Sequence, residues 1–208
     1  MTRANDSQSR WEKRHREASS QPVPDPTSFL LESFPLLPAP GPRSRALDLA
    51  CGAGHNSVWL AERGWSVVAV DYAPAALARA AAHAAGRRIS AASGTFRNLP
   101  TRLSGVFLVE ADLESLALPV AAFDLVLCFQ YLDRAAFPRI ERAIAPGGFL
   151  LYESFTEAQR AFDKGPRSPQ HLLAAGELRT AFPHLDPLFY REFTCTRAIA
   201  SLVARRAR

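Results

Sequence analysis

From Arg45 onward, short apolar runs alternate with helix-like segments, and no other feature of the sequence restricts the fold so tightly. RALDLA (45–50), WSVVAVD (65–71), GVFLVEAD (105–112), FDLVLCF (123–129) and FLLYESF (149–155) read as strands. Between them lie HNSVWLAERG (55–64), the Ala-rich PAALARAAAHAAG (74–86) opened by Pro74, and AAFPRIERAIAPGG (135–148). This exchange implies βαβ units and a mostly parallel sheet with helices on both faces. After a loop at 164–173 and a helix at 175–182, two more strands follow, PLFYREFTC and RAIASLVARR. Only Thr194-Cys195-Thr196 joins them, too little for a parallel crossover, so they should form an antiparallel hairpin at one edge of a seven-stranded sheet.

The 208 residues suit one such α/β domain over 45–208, preceded by a segment of cap helices and tether over 1–44. Residues 10–19 carry many charges and one large aromatic, as a short surface helix does, and 20–44 hold seven prolines around SFLLESF. The first 21 residues contain no apolar run, so no secretory signal is expected, and no stretch is apolar enough to span a bilayer. Three cysteines, odd in number and far apart, argue against a disulfide framework and a zinc site, which makes a reducing cytoplasm the expected compartment and no metal the expectation. Residues 87–105 carry four arginines and no acid, and read as an irregular insertion at the N-terminal edge of the sheet, away from any ligand. The formal charge of +5 permits an anionic partner, although a mildly basic surface is the plainer account.

The chemistry concentrates at LDLACGAGHN (47–56), between strand and helix. Gly52 and Gly54 allow a tight turn and close approach of a ligand, with helix amides just beyond. Asp48 can accept from an ammonium group or organise the turn. A dinucleotide site would need a third glycine, and Ser57 stands there instead. Asp71 ends the second strand, placed either to accept two ribose hydroxyls or to cap the following helix, with Tyr72 beside it for an adenine face. Asp112 and the Leu113 amide can read an adenine edge, Phe129 ends the fourth strand, and Asp124, which begins that strand, reads as structural.

These motifs, together with Pro146-Gly147-Gly148-Phe149-Leu150, resemble the class I S-adenosylmethionine (SAM)-dependent methyltransferases. More narrowly, Trp11-x-x-Arg14, Tyr131-Leu132-Asp133-Arg134 and Leu151-Tyr152-Glu153-x-Phe155 resemble the bacterial tellurite-resistance-type methyltransferases. The resemblance implies a Rossmann-like fold, SAM as cofactor and methyl transfer to a small molecule, in a monomer or homodimer. It assigns Asp48, Gly52 and Gly54, with the backbone of Cys51 and Ala53, to the methionine portion. Asp71 goes to the ribose, Tyr72, Asp112 and Leu113 to the adenine, and Phe129 to the sulfonium. Trp11 and Arg14 would belong to a helix folded over the cofactor, where Arg14 either meets the SAM carboxylate or is a solvated arginine. Tyr131, Arg134 and Glu153 are the candidate catalytic residues, with Arg167 and His171 as further acceptor-side groups, and Glu153 could instead be a structural acid pairing Arg134. The sequence departs from the pattern at Ala50, in place of a first glycine, at His15, in place of a tyrosine, and at Ser168, in place of an asparagine. The rival reading is a non-catalytic SAM- or nucleotide-binding module that docks RNA or protein through its arginines.

Overall fold

A computed structural model describes residues 3–208, with side chains from Gln8 onward. Its frame is one sheet of eight strands: β1 (Arg45–Leu49), β2 (Ser66–Asp71), β3 (Ala91–Gly94), β4 (Val106–Glu110), β5 (Phe123–Phe129), β6 (Ile144–Phe155), β7 (Leu185–Thr194) and β8 (Ala198–Arg206). The spatial order is β3-β4-β2-β1-β5-β6-β8-β7, parallel from β3 through β6 and antiparallel in the β6–β8 and β8–β7 pairs. The helices are α1 (Arg3–Glu17), α2 (Ser28–Ser33), α3 (His55–Ala61), α4 (Pro74–Gly86), α5 (Phe137–Ala143) and α6 (Glu177–Thr180).

Side chains that alternate across each strand divide the core into two layers. Leu47, Val68, Phe123 and Tyr152 pack with Ile140 of α5 and Leu178 of α6, while Val67, Leu127 and Phe149 pack with Phe29 of α2, Leu60 of α3 and Leu77 of α4. Because helices cover both faces, β2 is buried along its whole length and shows no polar alternation. Each such Leu or Phe contributes about 1.5–3 kcal/mol by burial. No described helix is long and apolar enough to cross a membrane.

The sheet thus has the expected architecture with one strand more than the sequence signals. The eighth is β3, inside the segment expected to be an irregular insertion, and it pairs in parallel with β4. Its residues Ala91-Ala92-Ser93-Gly94 have no apolar alternation and are held by backbone pairing alone. Phe96, Leu99 and Leu103 then pack on the core, and Thr95 and Asn98 form a capping box around a 3-10 turn. This segment is therefore an edge of the domain and no loose insertion. Asp124 is structural, as expected: its carboxylate accepts the Arg45 amide at 2.9 Å where β5 and β1 begin.

Candidate functional site

The C-terminal tips of β1, β2 and β5 meet beside two strained residues. Ala50 after β1 and Gln130 after β5 both hold left-handed backbone, at φ 56° and 57°, a conformation that costs a non-glycine residue of order 1–2 kcal/mol. The glycines of the turn have different tasks. A Cβ on Gly54 (φ 74°), the N-cap of α3, would lie 2.7 Å from the Cβ of Ala80, so this glycine lets α3 and α4 touch. A Cβ on Gly52 (φ 55°) would meet only the His15 ring, at 3.6 Å, so the space above it belongs to the cleft. Their neighbours Cys51 and Ala53 are buried, and the Cys51 amide donates to the Val70 carbonyl at 3.0 Å.

Asp48, 2% exposed, accepts the Ser57 hydroxyl at 2.5 Å and so ties the strand to the first turn of α3. Burial pushes its carboxyl up to about 7 against the pull of that hydroxyl, and the nearby Asp71 pushes the same way. Asp71 is also buried and does two jobs at once. One carboxylate oxygen accepts the Gly52 amide at 2.9 Å and the other the Ala73 amide at 3.0 Å. It therefore closes the glycine turn and starts α4, whose own N-cap, Ala73, has no side-chain bond. Burial raises its pKa, opposed by the Ala73, Gly52 and Tyr72 amides and by His15. A carboxylate has about four acceptor positions, so Asp71 keeps room for a ligand hydroxyl, and the cradle above Gly52 fits an adenosine-bearing ligand.

Over this cleft lies α1. Its Gln8 side chain donates to the Tyr72 carbonyl at 2.9 Å, and Glu12 accepts the Ala75 amide at 2.9 Å, supplying the cap that α4 lacks. His15 faces the cleft, half-buried, with its Nδ1 unpartnered among the described residues. Trp11 and Arg14 do not enter the cleft. Trp11 is 37% exposed, with the Arg14 guanidinium 4.8 Å over its ring. Helical spacing orders the face: His15 lies between Glu12, three residues before it and turned to α4, and Trp11, four before it, whose ring is 6.2 Å away at the outer margin beside Arg14.

Asp112 is exposed and caps its own turn by accepting the Glu114 amide at 2.9 Å, while Leu113 beside it is buried. Phe129 ends β5 buried, edge-on to Phe29 of α2 at 6.2 Å.

Tyr131, Arg134 and Glu153 do not come together. Tyr131 packs on the α5 side, its hydroxyl buried without a hydrogen-bond partner among the described residues, in a hollow lined by Leu49, Leu113, Leu116 and Ile140. Arg134 is fully engaged: it forms a two-pronged pair with Glu177, at 2.5 and 2.8 Å, and donates to the Leu172 carbonyl at 2.8 Å. It fastens α6 to the end of β5 and has no free fork for an acceptor. Glu153 does not pair with it. At 1% exposure, Glu153 accepts the Ser201 hydroxyl at 2.8 Å through Oε2 and leaves Oε1 without a hydrogen bond. Burial raises its pKa, against Ser201, Arg197 and Arg191. Arg167 donates to the Phe162 carbonyl at 3.1 Å, and His171 is exposed.

Sequence reasoning missed the surroundings of Glu153. Phe189, Arg191 and Phe193 alternate along β7 and so share one face. Arg191 lies 5.6 Å from the Phe29 and Phe189 rings and 5.3 Å from Phe193, and pairs with Glu32 of α2 at 2.7 Å. The period-two pattern was the available signal.

Residues 47–152, about half of the chain, match the methyltransferase domain family. The ubiquinone biosynthesis O-methyltransferase of Idiomarina loihiensis is 28% identical over 136 residues, 62% of this chain and 49% of that protein. The chain thus spans about half the length of this curated relative. Among solved structures, an S-adenosylmethionine-dependent methyltransferase from Mesorhizobium loti superposes with a TM-score of 0.65 at 21% identity, over 86% of this chain and 98% of the other. TehB from Haemophilus influenzae gives 0.68 at 14% identity, over 91% and 65%. At these identities the two structures speak for the fold alone.

Proposed function

This chain belongs to the methyltransferase domain family, and on that premise we propose that it methylates a small molecule at the sheet edge formed by the tips of β1, β2, β5 and β6. It is a SAM-dependent enzyme, and SAM when bound supplies an electrophilic methyl group on a sulfonium. The observation that carries the placement is the pair Gly52 and Asp71: an open cradle beside a buried carboxylate with acceptor positions to spare. The loss of the third glycine of a dinucleotide site agrees with it, because Gly54 is spent on contact with Ala80.

In this reading Asp71 takes the ribose hydroxyls, with Tyr72, Asp112 and Leu113 along the adenine. Gly52, with Cys51 and Ala53, borders the methionine portion, and Asp48 holds the turn in shape through Ser57. Glu153 is the acceptor-side group, next to Phe29 and Phe129. Rate enhancement comes chiefly from positioning and exclusion of water. The segment 1–44 acts as a cap: α1 is latched by Gln8 and Glu12, and His15 must withdraw from above Gly52 for the cleft to fill. Within the methyltransferases, the Trp11, Tyr131 and Leu151 motifs favour the tellurite-resistance type. The described cysteines are all free, which suits a reducing compartment.

The test is turnover. Labelled SAM is incubated with small thiols, selenols, oxyanions, hydroxyl compounds, amines and RNA, and S-adenosylhomocysteine is measured. Transfer to a small molecule is the expected result; retention of SAM without transfer to any of them would mark a binding module.

A further inference from the structure

Among the described residues, two polar atoms on one face of the outer sheet lack the hydrogen-bond partners that burial demands. Glu153 Oε1 has no hydrogen bond, its nearest cation being an Arg197 nitrogen at 3.9 Å, too far to donate. Arg191 Nε is likewise buried without an acceptor. An unsatisfied buried group costs about 1–3 kcal/mol, and more when charged, so an arrangement that keeps two of them has a use for them. Around them stand rings: Phe29 and Phe129, both buried, at the inner end, and Phe189 and Phe193, 38% and 37% exposed, at the outer end. Phe129 ends β5 beside the cofactor cleft, and reciprocal Thr27–Asn56 bonds, at 2.9 and 3.2 Å, tie the start of α2 to the first turn of α3. The box is therefore fastened to the cofactor turn.

We propose that this box seats a small phenol, its ring against the phenylalanines and its hydroxyl between Glu153 Oε1 and Arg191 Nε. The proposal rests on the methyltransferase reading and narrows its acceptor. A phenolic oxygen can donate to the carboxylate, accept from the guanidinium and still keep a lone pair for attack. A neutral amine that accepted from Arg191 would commit the lone pair it needs. A thiol accepts weakly and requires little help from a base. Aliphatic hydroxyls ionise almost as reluctantly as water, whereas a tyrosine-like hydroxyl ionises near ~10, within reach of a carboxylate aided by an adjacent cation. In the transfer, an oxygen lone pair forms the O–CH3 bond as the sulfonium C–S bond breaks. The sulfur keeps that electron pair in S-adenosylhomocysteine, and the phenol proton passes to Glu153.

Catechol is the probe, with aniline, thiophenol and cyclohexanol as ring-sized controls, on the full chain. Methylated catechol is expected, with the controls at least about tenfold poorer. Glu153→Gln should lower kcat by about 100-fold or more, the usual scale for a general base, while catechol binding to the S-adenosylhomocysteine-loaded protein, measured by calorimetry, stays within about threefold. Its pH profile should also lose a limb. In the wild type kcat rises with pH through a value above that of an ordinary carboxyl, because burial resists ionisation of Glu153, and glutamine cannot ionise. Arg191→Gln and, as a milder change at the exposed end, Phe193→Leu should weaken catechol binding, the first by about tenfold. Wild-type turnover in Glu153→Gln, preference for aniline or thiophenol, or no catechol binding by protein that binds S-adenosylhomocysteine would each overturn the proposal. Catechol binding without SAM, lost in Arg191→Gln, in a protein that fails to bind S-adenosylhomocysteine would support the box while sinking the methyltransferase reading.

Discussion

The two halves of the sheet solve the problem of burying charge in opposite ways. On the β2–β1 side, Asp71 is buried but both of its oxygens are held by backbone amides that belong to the turns it organises. On the β6–β8 side, Glu153 is as little exposed, yet among the described residues one of its oxygens has no hydrogen bond, and on the same face Arg191 of β7 keeps an unbonded nitrogen. The first arrangement persists without a ligand, since the carboxylate stabilises the fold that presents it. The second is complete only when something else enters. One side of the site is a cradle that many sequences can specify through a glycine turn, and the other is the individual side-chain set that the proposal assigns to the acceptor.

Changes on the cradle side should cost stability and binding together. Gly54→Val forces a branched side chain into left-handed backbone, with its Cβ 2.7 Å from that of Ala80. We expect a loss of at least about 4 kcal/mol in urea unfolding, with cofactor binding lost alongside. A fold that tolerates it would mean that α3 and α4 need not touch.

The next effect is a pH dependence. The Asp48 carboxyl is held at about 7 in the folded protein, above its usual 3.8, so folding favours the protonated form. This contribution to stability is fully present below pH ~4 and is lost as pH rises toward ~7, a change of a few kcal/mol. Asp48→Asn, which cannot ionise but can still accept from Ser57, should flatten that part of the stability profile. An unchanged slope in the variant would place the titration elsewhere.

Removal of residues 1–21 takes away Gln8, Glu12 and His15 and leaves the sheet untouched. Unfolding free energy should fall by about 1 kcal/mol, the worth of a lost helix cap, whereas turnover should fall about tenfold or more because water is no longer excluded. Equal proportional losses would make α1 a structural helix and no cap. The smallest effect belongs to the far edge of the sheet. Arg97→Ala with Arg102→Ala should leave S-adenosylhomocysteine affinity within about 0.5 kcal/mol, since both lie exposed in the segment after the edge strand β3, outside the residues proposed to hold the cofactor. A larger change would bring the arginines into the site.

The contrast between the halves also explains what the sequence made legible. Alternating strands and helices, the hairpin of β7 and β8, and the turn around Gly52 were readable because each rests on local periodicity or on special backbone geometry. β3 was not, since Ala-Ala-Ser-Gly has no pattern and becomes a strand only through its neighbour β4. Arg134 looked functional for its place after β5, but its partner Glu177 is 43 residues away. Trp11 looked like an anchor because it is large, yet the turn of α1 gives the cleft to His15. The Glu153 box escaped notice for the same reason: α2, β6, β7 and β8 meet only in the folded chain, and the Phe189-Arg191-Phe193 alternation reads equally well as an ordinary edge strand.

The most direct test of the account is a calorimetric titration of the full chain with S-adenosylhomocysteine and, separately, with NAD. The cradle at Gly52 and the carboxylate of Asp71, with no third glycine at Ser57, predict saturable binding of S-adenosylhomocysteine in the micromolar range, about −8 kcal/mol, and no heat from NAD. Binding of NAD without binding of S-adenosylhomocysteine would contradict it.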